Sequence, residues 1–220
     1  MDLDPLVLSF SVAALATALA VVVGVALGAL LARPFPGRDL LDALVTAPMV
    51  LPPTVLGYYL LVALGRDSAI GRAWESVFGT SIVFSFTGLV VAAFVAALPF
   101  VVKASRAAIE DVDRRLVDAA RTLGASRRRA FFTVVLPLAQ RGIGAGVSLG
   151  FARALGDFGV TLMIAGNIPD ETRTGALAIY DLVLGGKQAE ADGLVALMTA
   201  CAVAALVLAN KLVRRRERRA

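Results

Sequence analysis

The chain has 220 residues, 58% of them hydrophobic, with a mean hydropathy of +0.79 and a net charge of +5. Soluble domains are about 45–50% apolar, so the surplus needs a dry environment. One Cys, no His, no GxxxxGK[ST] phosphate loop and no GxSxG elbow exclude a disulfide framework and leave any catalysis to carboxylates or Lys alone. The apolar residues fall in blocks long enough to cross about 30 Å of hydrocarbon at about 1.5 Å per residue, and the expected fold is a single all-α bundle of membrane helices filling residues 1–220.

The first apolar run, residues 6–31, has only Ser9, Ser11 and Thr17 as polar members. It follows an acidic start (Asp2, Asp4) and is too long for the apolar core of a signal peptide, so it reads as a true span. The second, residues 40–64, carries Pro48, Pro52 and Pro53. Proline removes a backbone donor and kinks a helix, which lipid tolerates only where neighbours or a cavity satisfy the freed carbonyls. A packed kink and a broken helix beside a translocation path are both open readings. Residues 82–102 form the third run and residues 194–213 the fifth, with the single Cys201 inside the latter.

The fourth apolar region, residues 131–164, is interrupted by Arg141, Arg153 and Asp157. Arg153 and Asp157 are four apart, which places them on one side of a continuous helix. They are a structural ion pair or, with Gly156, part of the path of an anion. Gly142, Gly144, Gly146 and Gly150 add a small-residue stripe suited to close helix packing.

Loop charges then set an orientation. Basic residues exceed acidic ones in the first loop (Arg33, Arg38 against Asp39), in the third loop, residues 103–130, and in the tail from Lys211 onward. With five spans these segments share one side, so the N-terminus is expected outside and the C-terminus in the cytoplasm. The same topology accounts for the net charge without nucleic acid.

The third loop is far longer than the roughly 2–8 residues that bundles need between helices. Asp113 is placed to cap a helix running from Arg114 through Gly124, with Leu116, Ala120, Leu123 and Gly124 on one narrow face. Such a helix lies on anionic lipid or receives another chain. Asp118-Ala119-Ala120-Arg121-Thr122-Leu123-Gly124, followed by Val134 and then Leu136-Pro137, is similar to the EAA-x(3)-G-x(9)-I-x-L-P signature of ABC importer permeases, with Asp118 where that signature has Glu. The resemblance implies that Asp118, Ala119, Ala120, Leu123, Gly124, Leu136 and Pro137 belong to a segment coupled to a cytosolic ATPase.

The likeness continues through Pro48–Tyr59, through Arg153-Ala154-Leu155-Gly156-Asp157-Phe158-Gly159-Val160-Thr161, and through Asn167-Ile168-Pro169-Asp170-Glu171-Thr172-Arg173-Thr174 with Leu177–Tyr180. These runs resemble the molybdate permeases of that superfamily, while sulfate permeases share the second run and diverge in the third. What the resemblance implies is a type I importer permease in the bacterial inner membrane, working as a homodimer with an ATPase dimer and an outer molybdate-binding protein. ATP and magnesium would then reside on the ATPase. Sulfate and tungstate are alternative substrates. A membrane-embedded enzyme would need a polar cluster at depth, and only Arg141, Arg153 and Asp157 are available; a stand-alone channel would not need the cytoplasmic helix.

Overall fold

The computed structural model describes residues 3–217, with side chains as far as Val207. Asp2 and the side chains of the tail charges from Lys211 onward lie outside the described residues. Every regular element among the described residues is helical. Three helices form the centre: α1 (Asp4–Leu31), α5 (Phe86–Glu110) and α8 (Leu136–Leu155). Between the first two lie α2 (Arg38–Val50), α3 (Pro53–Leu64) and the short α4 (Ala69–Phe78). Then come α6 (Arg114–Thr122), α7 (Arg127–Ala130) and a π-helical turn (Phe131–Val135) leading into α8, and finally α9 (Gly159–Ala165), α10 (Gly175–Leu184) and α11 (Gln188–Glu217).

Lipid is as apolar as a leucine side chain, so helices associate in it through close packing rather than water exclusion. The centre is built accordingly. Ala13, Ala16 and Ala20 of α1 and Ala92, Ala93, Ala96 and Ala97 of α5 are buried. A Cβ on Gly24 would stand 2.8 Å from Val101 Cγ1, and one on Gly28 would stand 2.7 Å from Ser105 Cβ, so α1 and α5 run side by side in the same direction. Antiparallel α8 meets α5 in the same way: a Cβ would lie 2.5 Å from Ala108 Cβ at Gly142, and 2.4 Å from Ala104 Cβ at Gly146. Gly142, Gly146 and Gly150 thus pack within the chain, against α5.

Among the described residues, four helical stretches are long and apolar enough to cross a membrane: Asp4–Leu31, Phe86–Glu110, Arg127–Leu155 and Gln188–Val207. Helices α2 and α3 pass the same test only as a pair, bent by 116°, as in a broken span or a re-entrant loop. The expected single run over 40–64 is therefore a broken element. The residue before a proline is pushed out of the helical region; Leu51 precedes Pro52 and Pro52 precedes Pro53, and both are extended, at ψ 138° and 136°. Pro48 alone is absorbed inside α2.

The fourth region is also not one span over 131–164. Its helix starts earlier, at Arg127, ends at Leu155, and gives way to the separate short α9. Third, α5 starts at Phe86 and continues to Glu110, eight residues past the expected boundary at 102 and into the expected cytoplasmic segment. Pro137 sits in the first turn of α8, where its missing N–H removes one ladder bond. The helix survives because the preceding turn is wide, the Leu136 N–H reaching Phe131 O.

At one end of the bundle Leu6, Ala178 and Leu194 form a small apolar cluster. Beside it the Gly175 N–H donates to Ser9 Oγ (2.8 Å), which in turn donates to Pro5 O. At the other end Asp42 accepts from Lys103 (2.8 Å) and Arg106 (3.2 Å), while Glu110 accepts from Arg38 (2.6 Å) and Arg106 (3.0 Å). Helix α2 buries none of its own residues. These ion pairs are what fix it to α5.

Candidate functional site: an exposed helix and two broken spans

Helix α6 lies at the ion-paired end. Its N-terminus is capped as its sequence suggests, the Arg115 N–H donating to Asp113 Oδ1 at 2.9 Å. At its other end the Ala125 N–H reaches Ala120 O and the Gly124 N–H reaches Arg121 O, each at 3.0 Å. This pair of bonds is a Schellman ending, which needs a left-handed residue where Gly124 stands at φ +89°.

Gly124 therefore does not share the helix face with Leu116, Ala120 and Leu123; it terminates the helix. The face divides as well. Val117 and Ala120 are half-buried, whereas Leu116 (49%) and Leu123 (88%) face outward. Asp118 and Ala119 are exposed beside them, and Asp118 has no ion-pair partner among the described residues. Leu136 and Pro137 stand apart from this surface, in the first turn of α8, directly after the π turn on which α6 rests.

The second region joins the two breaks. A Cβ on Gly159 would come within 2.7 Å of Pro53 Cβ, and one on Gly57 within 2.6 Å of Met163 Cβ, so α3 and α9 lie against each other. Pro52 and Pro53, singled out from the sequence, are exposed at the start of α3, and Asp157 is buried in the break between α8 and α9; Gly156 is exposed in that break but lines a cavity toward α11 with Met198, Thr199 and Ala202. Pro48 lies back within α2.

Arg153 occupies the last turn of α8 and Asp157 the break beyond it, so the pair bridges a helix end rather than lying along one helix. Arg153 Nη1 donates to Asp157 Oδ1 at 2.9 Å. Oδ2 accepts from the Thr161 N–H at 2.9 Å and from Thr161 Oγ1 at 2.7 Å. Three donors thus satisfy a carboxylate whose side chain is 1% exposed, against 29% for Arg153, which is the condition for keeping a charge at such depth. Thr161 closes the Arg153–Thr161 run in the sequence, but its role as the partner of Asp157 is seen only in the structure; a hydroxyl four residues after Asp157 is the available signal.

The Asn167–Tyr180 run folds into a compact turn. Asn167 Nδ2 donates to both oxygens of Asp181 at 2.8 Å, and Arg173 Nε reaches Asn167 Oδ1 and Asp181 Oδ2, each at 3.3 Å. The fully buried Thr172 accepts from the Ile168 N–H. The Tyr180 ring packs edge-on against Phe158 in the break, with centroids 5.2 Å apart. These contacts join α9, α10 and, through Ser9, α1.

A family model described as binding-protein-dependent transport system inner membrane component matches residues 8–220. Among curated proteins, the molybdenum transport system permease protein ModB of Escherichia coli K12 is 44% identical over 209 residues, covering 94% of this chain and 91% of that protein. The sulfate transport system permease protein CysT of the same organism is 38% identical over 146 residues, covering 66% of this chain and 52% of that one. Among solved structures, an inward-facing form of the MetNI methionine ABC transporter matches with a TM-score of 0.75 at 18% identity, over 96% of this chain and 94% of that one. That likeness shows the fold.

Proposed function

Since the chain belongs to the family of binding-protein-dependent transport system inner membrane components, we propose that it is the membrane permease of a bacterial ATP-driven molybdate importer. Its work is transport and not catalysis. Two copies enclose the pathway, since an isologous pair is the simplest way to close a path that five crossings leave open on one side. The N-terminus lies outside and the C-terminus in the cytoplasm, following the basic excess of the first loop, third loop and tail. An outer binding protein delivers molybdate. A cytosolic ATPase dimer holds ATP and magnesium, there being no phosphate loop in this chain.

The observation that carries this reading is α6: a helix capped at both ends, projecting from the bundle, with Leu116 and Leu123 uncovered beside Asp118 and Ala119. Two such leucines seven residues apart suit a cleft in a partner surface. When the ATPase pair closes, force on α6 passes into the π turn beneath it and so into α8, whose far end carries Arg153 and the break. A bundle with two packings converts that push into openings on alternate sides.

Uptake of labelled molybdate into cells carrying this chain with its ATPase and binding protein tests the proposal, with a large excess of sulfate as competitor. Uptake that persists under sulfate is expected; uptake abolished by sulfate would transfer the assignment to sulfate. An ATPase should copurify with the chain. Transport without one would point to a channel instead.

A further inference from the structure

We propose, resting on the oxyanion-permease reading above, that Arg153 takes the dianion by its free guanidinium edge, and that Asp157, clamped by Thr161, is the built-in competitor that makes it let go. The two halves of this ion pair are held very differently. Asp157 cannot move without losing three hydrogen bonds. Arg153 is tied to it through Nη1 alone, and its Nε and Nη2 have no partner among the described residues.

Nε and Nη2 form one side of the guanidinium, two parallel donors at the spacing that matches two oxygens of an oxyanion. Helix stability does not explain the pair, because α8 ends at Leu155 and Arg-before-Asp is the weaker order even within a helix. Packing does not demand it either: Arg153 is the partly exposed member, one turn before the break at which α8 ends and α9 lies against Pro53 of α3.

A transport path must attract its ion and also release it. Arg153 without a counter-charge would hold a dianion more tightly and release it more slowly. With Asp157 fixed against Nη1 the pair is neutral, the dianion meets only the free edge, and the buried carboxylate repels it throughout its stay.

The test uses the purified complex of this chain with its ATPase. Labelled molybdate retained in equilibrium dialysis is measured without the binding protein, and maximal uptake is measured in proteoliposomes with it. Asp157→Asn keeps the shape and removes the charge; it should tighten retention about tenfold or more, from the loss of a full charge a few ångströms from the dianion, while maximal uptake falls. Thr161→Val, which loosens Asp157 without discharging it, should shift both readouts in the same direction by less. Arg153→Gln should lower uptake with no tightening.

Retention by Asp157→Asn equal to or weaker than wild type overturns the proposal. So does loss of assembled protein in Asp157→Asn, Thr161→Val and the double variant Arg153→Gln/Asp157→Asn alike, since the pair would then serve folding alone. Wild-type proteoliposomes that take up no oxyanion would instead sink the transport assignment, whatever the variants retain.

Discussion

Replacing Gly124 separates two ways in which the end of α6 can matter. A Cβ at this position meets nothing within 4 Å, so the isolated chain has room for any side chain there. The constraint is the backbone: φ +89° is held by the Ala125-to-Ala120 and Gly124-to-Arg121 bonds. An L-residue in the left-handed region costs about 1–2 kcal/mol, with Asn the most tolerant side chain. That strain, applied to a nine-residue helix with no buried residue, favours opening the last turn and moving Leu123. A shift of about 1–2 kcal/mol changes the population of the formed end by a factor of about 5–30. Substrate-stimulated ATP hydrolysis of the reconstituted transporter should therefore fall strongly in Gly124→Ala and Gly124→Leu alike, and least in Gly124→Asn. The contrary ranking, with Ala near wild type and losses growing with side-chain size, would refute the backbone argument and mean that an ATPase surface lies directly against Gly124.

Two other substitutions test the bundle. Gly146→Ala would drive its methyl to 2.4 Å from Ala104 Cβ with Phe100 O at 3.1 Å; overpacking of this kind costs about 1–3 kcal/mol, and a lower melting temperature of the purified protein in detergent is the expected result. Asn167→Asp would set a carboxylate against Asp181, where two donor contacts of 2.8 Å now exist. Assembled protein should decline while the ratio of molybdate to sulfate uptake per assembled transporter stays unchanged; a changed ratio would show that this turn meets the substrate directly.

Much of the fold is written in hydropathy, since four runs correspond to helices that can cross a membrane and the Asp113 cap forms where its sequence puts it. The breaks were harder to read for definite reasons. Hydropathy measures transfer into lipid and carries no information on chain direction, so residues 131–164 look continuous although the helix stops at Leu155. In the second run three prolines look alike, yet the consecutive pair decides the outcome, because each of Leu51 and Pro52 is forced extended by the residue after it.

The site divides in the same way. Asp118 to Gly124 could be located from spacing, but the role of Gly124 depends on a torsion angle that composition does not encode. The cluster of Arg38, Asp42, Lys103, Arg106 and Glu110 is not legible in the sequence because its partners lie up to 72 residues apart and Asp42 falls inside an apolar run. The Asn167–Tyr180 turn, which resembles molybdate permeases most closely, meets its own chain through Asn167, Arg173 and Asp181.

The wide turn before Pro137 also fixes azimuth. Each residue in a helix advances about 100° around the axis, so the residue accommodated in Phe131–Val135 sets the phase of everything after it. Deleting one residue there would turn Gly142, Gly146 and Gly150 away from α5 and carry Arg153 about a quarter of the way round the span. A loop of the same composition could lose a residue and keep its neighbours; this segment cannot. The short stretch between the exposed helix and the transmembrane segment thus acts as an index mark, aligning the face that packs with the charge that sits some 18 residues further along.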